Sequence, residues 1–184
     1  MGRKRNRRAL REALESGRPV MARRGLWKAD HLEGYVVAVD AEWALLHIVY
    51  DVGLNGWSAV RLDTIREVEP QGEGSFIARA LDLAGERPQS CDLDTASVVD
   101  LLHSATRLFP LVTVFTERVD PTVCAIGRPI RIGSRSVTFL DVSSSATWSD
   151  ETRSLRLDDI TRIDVGARYE QVLHRLAGYP PIPS

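Results

Sequence analysis

Asp30, His31 and Glu33 carry metal-binding side chains and lie just ahead of an alternating apolar run that begins at Gly34. Reliable metal motifs fix their ligands at helical or knuckle spacing, which these three near-neighbours do not supply. A polar loop is the simpler reading. His47, His103 and His174 each stand alone in an apolar pattern, which suits hydrogen-bonded structural imidazoles better than a catalytic base. Cys124 falls in the apolar run 123–126 and reads as a buried, inert thiol. Cys91 sits beside Asp92 and Asp94, whose charge would raise its pKa and make it a poor nucleophile. The chain has no glycine-rich phosphate loop, no Gly-x-Ser-x-Gly elbow and no paired zinc half-sites. The expectation is a protein with no catalytic residues, no metal and no cofactor.

Two other features point to binding. Residues 1–28 carry a net charge of +8, while the remainder carries −9. The arginines of this arm, Arg3, Arg5, Arg7, Arg8 and Arg11, could contact nucleic acid weakly and without sequence specificity, or could simply be a solvated charged face. Trp57 follows Asn55-Gly56, a hairpin turn signal, and Trp148 falls in the corresponding region of the second half. Each could anchor a partner if exposed, or cover one end of its own unit if not.

These residues must be held by elements that recur. Residues 61–68 (RLDTIREV) match residues 156–163 (RLDDITRI). Ahead of each lies a two-stranded alternating pattern that opens on a glycine, at 34–49 and at 127–142. Further upstream, Pro19 and Pro110 each open another strand. Helical patterns flank both copies, at 8–16, 75–84, from about 95 to 107, and 167–177. Phe76, Ile77, Ala80 and Leu83 form the expected apolar face of one of them, and Tyr169, Val172, Leu173 and Leu176 that of another. The domain reading is a basic helix plus first unit at 1–85, a linker at 86–94, a second unit at 95–178 and a proline-rich tail at 179–184.

A leading helix followed by five short strands, with a tight turn between the last two, resembles the Sm-like fold and its SH3-like barrel relatives. The strands from Gly34 and Gly127 and the two closing segments carry that resemblance. The chain is also similar to uncharacterised bacterial proteins with two such barrels in tandem, on residues 120–128 (DPTVCAIGR) and 158–173. The implied fold class is mainly β with short flanking helices, built as two tandem five-stranded small barrels. The RNA signatures of Sm proteins are missing: the loops at 40–42 and 133–135 lack the RNA-contacting asparagine, and the turns at 62–64 and 157–159 lack the glycine.

No apolar run reaches the roughly 20 residues of a membrane-spanning helix. Two cysteines are too few for a disulfide framework, which favours the cytoplasm. The functional expectation is a non-catalytic interaction module, binding a protein partner or self-assembling through exposed strand edges. The alternative is nucleic-acid (RNA) binding through the arginine arm.

Overall fold

A computed structural model describes residues 2–72 and 74–181. In chain order the first half holds α1 (Gly2–Ser16), β1 (Pro19–Arg24), β2 (Leu32–Val39), β3 (Trp43–Tyr50), β4 (Gly53–Arg61), β5 (Ile65–Pro70) and α2 (Phe76–Ala84). The second half holds α3 (Val98–Leu108), β6 (Val112–Phe115), β7 (Cys124–Ile132), β8 (Ser136–Val142), β9 (Trp148–Arg156), β10 (Arg162–Val165) and α4 (Arg168–Ala177). Single-turn 3-10 helices at Leu62–Thr64 and Leu157–Asp159 join β4 to β5 and β9 to β10. The repeat seen in the sequence is therefore a repeat of structure.

All ten described strands form one open antiparallel sheet in the order β5-β1-β2-β3-β4-β10-β6-β7-β8-β9. Each half keeps the order last-first-second-third-fourth. Neither half closes on itself, so the expected pair of closed barrels is not what the strand ladders form. The reason is at the junction. There β4 of the first half spends its free edge on β10 of the second, with Ala59 opposite Ile163 and Ser58 opposite Asp164. Register shifts in β2, β3, β7 and β8 bend the sheet locally.

Burial follows from that junction. The run at 43–49 is apolar without alternation because β3 is covered on both faces. Trp43 and Leu45 face a core shared with Leu101, Leu102, Phe139, Ile160 and Ile163 of the second half. Ala44 and Leu46 face a second core, closed by Leu10 and Ala13 of α1. The helix α1 begins six residues before the expected start, so the arginine arm is itself helical and docks through Asn6, Leu10 and Ala13. Asn6 Nδ2 donates to Ile65 O at 2.7 Å, fixing α1 to the start of β5.

Several local expectations are corrected. Asn55-Gly56 does not make the hairpin turn. Asp51 and Val52 do, both with positive φ, while Gly56 (φ 70°) sits inside β4. The two-residue turn needs positive φ at both positions, and β3–β4 pairing from Tyr50↔Gly53 onward forces it onto a β-branched residue. The helices α2 and α4 bury only part of their expected faces: Leu173 is buried and Ile77 packs beside Leu81. Phe76 and Leu83, and likewise Tyr169, Val172 and Leu176, are exposed, whereas Leu81, Leu173 and Glu170 are buried. Segment 86–94 joins the two halves without helix or strand and is tied down along its length: Glu86 Oε2 accepts from Leu54 N at 2.6 Å, Gln89 N donates to His47 Nδ1 at 3.0 Å, and Leu93 enters the shared core.

Gly34 and Gly127, which lie inside the second strand of each half, are explained by a close approach. A Cβ on Gly127 would lie 2.0 Å from Leu140 O, and one on Gly34 would lie 2.4 Å from His47 O. Gly127→Ala must separate β7 from β8 and is expected to cost about 1–3 kcal/mol, as overpacking does. A drop in the urea midpoint at unchanged slope checks it.

Candidate interaction site

The junction shows how this chain joins one strand edge to another. Arg61 N donates to Thr161 O at 3.0 Å, and Thr161 N donates to Phe115 O at 2.9 Å, so Thr161 bridges both halves. Its hydroxyl donates to Glu117 Oε2 at 2.7 Å. Glu117 in turn takes Arg24, which reaches across from the end of β1 with both side chains almost fully buried. Arg24 Nε also donates to Thr64 Oγ1 at 3.2 Å. Burial pushes the Arg24 guanidinium below its ordinary value, and the Glu117 carboxylate works against that. Backbone ladder and buried ion pair thus clamp the two halves together.

Among the described residues, the same order in each half leaves two edges without a strand neighbour: the outer side of β5 and the outer side of β9. They are the counterparts of the two edges that meet at the junction. Arg61 in β4 corresponds to Arg156 in β9, and Ile163 in β10 corresponds to Val68 in β5. Extending the junction register, Ser154 would stand opposite Val68 and Arg153 opposite Glu69. An opposite-charge pair directly across two strands is favourable. Arg153 now pairs with Asp141, and Glu69 with Arg23. Both edges are partly guarded: β5 ends on Pro70, which has no N–H, and β9 carries Asp150, Glu151, Arg153 and Arg156.

The tryptophans are not counterparts. Trp57 lies in the middle of β4, opposite Val165 across the junction and His47 on β3. It is half-buried, donates its indole N–H to Gln89 O at 3.1 Å, and stacks on His47 at 4.6 Å and 17°. His47 Nδ1 accepts from Gln89 N, and burial lowers its pKa, so the ring is neutral with its proton on Nε2. Trp148 opens β9 opposite Val142 and packs on Leu111, Val142 and Leu173. The structure does not bring the two indoles to one surface.

The arm arginines lie on the described α1. Arg3, Arg5, Arg8 and Arg11 are exposed and Arg7 is half-buried. Lys4, Arg7, Arg8 and Arg11 share one shallow recess with Glu12 and Glu15, and Arg8 pairs with Glu12 at 2.7 Å. Arg3 donates to Ala41 O at 3.2 Å.

Asp30, His31 and Glu33 do not converge. His31 Nδ1 accepts from Arg24 N at 3.2 Å, and Asp30 lies 3.8 Å from Arg162. Among the described residues, no group of three or more His, Cys, Asp or Glu is placed to hold a metal ion. His103 is exposed, and His174 lies on α4 against Tyr179. Cys124 is exposed at the start of β7, opposite Phe115 at the end of β6, contrary to the expected buried thiol. The Cys91 thiol is raised chiefly by burial, with Asp92 a lesser contributor. The tail from 182 onward lies outside the described residues.

No protein-family model, curated protein or solved structure matches this chain.

Two site features escaped the sequence reading. The junction partners Arg24 and Glu117 are 93 residues apart and belong to no motif. Glu170 sits at a position that its helical period assigns to solvent, yet it is buried.

Proposed function

We propose that the chain is a non-catalytic interaction module, with two Sm-like/SH3-like units arranged in tandem, that self-assembles through its outer strand edges. The observation that carries this reading is the β4–β10 ladder, an edge-to-edge joint already made once inside the chain. An interface between β9 of one copy and β5 of the next would repeat that joint. Such a head-to-tail contact closes into a ring or runs on as a filament. A β-strand of another protein could add to the same edges by the same backbone pairing.

Nucleic-acid binding through α1 has less support. Its basic recess is interleaved with two glutamates, and one face of the helix is spent on docking. No described helix is long and apolar enough to cross a membrane. The two free cysteines fit the proposed cytoplasmic location.

Sedimentation velocity over a concentration series tests the proposal. Arg61 N points into the junction, so alternate residues of β4 such as Ala59 point their peptide groups the same way, as Ser154 does on the outer side of β9. The wild-type chain is expected to self-associate with a midpoint in the micromolar range, and Ser154→Pro to leave it monomeric with its fold intact. A wild-type chain that stays monomeric to about 0.5 mM overturns self-assembly.

A further inference from the structure

At the inner end of the junction lies a cavity of about 260 Å³ that belongs to neither outer edge. Trp57 of the first half forms one wall. Phe109, Pro110, Leu111, Gly166, Glu170 and Gln171 of the second half form the rest. The Trp57 and Phe109 rings stand 5.9 Å apart, tilted by 50°. Gly166 keeps the space open, since a Cβ there would lie 2.8 Å from Phe109 Cε1 and 3.3 Å from Trp57 Cζ3.

Glu170 is the only charged residue among those lining this apolar chamber, and it is buried. Its Oε1 takes the Thr113 hydroxyl, and its Oε2 accepts from Ala167 N at 2.8 Å. The other groups that act on it are Asp164 and Arg162 of β10, which pair with each other, and the Cys124 thiol of β7 is near enough to feel its charge. Among the described residues, no Lys or Arg lines the cavity. A carboxyl that shares a cavity with two aromatic rings is complementary to a cation carried on a flat apolar body. The rings attract such a cation through their quadrupoles, and the carboxylate attracts it directly.

We infer that this junction cavity is a binding site for a small organic ammonium, seated against the Trp57–Phe109 pair with its charged end on Glu170. The volume falls just below the range for drug-sized ligands, which limits the occupant to a small amine. Desolvation raises Glu170 to about 7, so near neutral pH part of the population is protonated. Binding a cation favours the carboxylate and releases that proton to solvent. The site does not depend on self-assembly and stands or falls separately from it.

The probe is benzylammonium, followed through the indole N–H signals of ¹⁵N-labelled protein, with neutral benzyl alcohol as control. The Trp57 signal is expected to shift saturably, with a Kd of about a millimolar or tighter. The alcohol is expected to bind at least about tenfold more weakly, and Glu170→Gln to weaken the ammonium by a similar factor. Raising the pH from about 6 to about 8 is expected to tighten ammonium binding about tenfold in wild type and not in Glu170→Gln. Gln171→Trp changes an exposed residue at the mouth and is expected to obstruct entry without disturbing the fold. Equal affinity for alcohol and ammonium overturns the proposal. So does unchanged binding in Glu170→Gln or Gln171→Trp, or no Trp57 shift at about 20 mM probe.

Discussion

Glu117→Ala is expected to destabilise the protein by about 3–5 kcal/mol, the cost of leaving a buried charge without its partner. Arg24 is 3% exposed, and its guanidinium is held by Glu117 and Thr64. With the carboxylate gone, Arg24 keeps one hydroxyl partner and cannot reach water without opening the contact between β1 and the segment after β6. Thr161 loses an acceptor in the same step. Urea unfolding measures the loss. The double replacement Arg24→Met with Glu117→Leu is expected to recover most of it, because two apolar side chains of similar volume carry no desolvation cost. If Glu117→Ala unfolds at the wild-type midpoint, the pair does not clamp the halves.

The second large effect is a pH profile. Glu170 is raised from 4.5 to about 7 in the folded chain, first because it is desolvated. The folded state therefore binds more protons than the unfolded state between roughly pH 4.5 and 7, and stability falls as pH rises through that window. The contribution is fully present below about pH 4.5 and gone above about pH 7, a difference of about 3 kcal/mol. Glu170→Gln keeps an acceptor for Ala167 N and offers Thr113 a donor, and it has no proton to lose. The variant should overtake wild type as pH rises, becoming more stable by about 3 kcal/mol at about pH 8. Parallel profiles for the two proteins from about pH 5 to 8 would remove Glu170 as the source.

Strand positions are legible in the sequence because they depend on local pattern. The glycines at 34 and 127 mark the same crowded crossing in each half, and RLDTIREV and RLDDITRI mark the same 3-10 turn. Partner choice between strands is not legible. No local rule sends β4 to β10: Ala59 and Ile163 are neighbours only because two edges from different halves meet. The helix faces are hidden for a related reason. An apolar stripe such as Tyr169, Val172, Leu173 and Leu176 marks a buried face only where something covers it, and the surface that α4 rests on takes Leu173 of that stripe together with Glu170. The hairpin turn departs from expectation because Asn55-Gly56 is the better local signal, and cross-strand register overrules it.

The β4–β10 joint also sets an order of events during synthesis. β4 is complete at Arg61, but the strand that covers its edge begins only at Arg162. At about 5–20 residues per second, that edge leaves the ribosome roughly 5–20 s before its partner exists. For that interval the nascent first half presents the bare side of β4, with Ala59 and Val60 beside it, to every neighbouring chain on the same message. The segment at 86–94, which ties to Leu54, His47 and Trp57, is made well before β10, so these contacts are available to the chain while that edge is still bare.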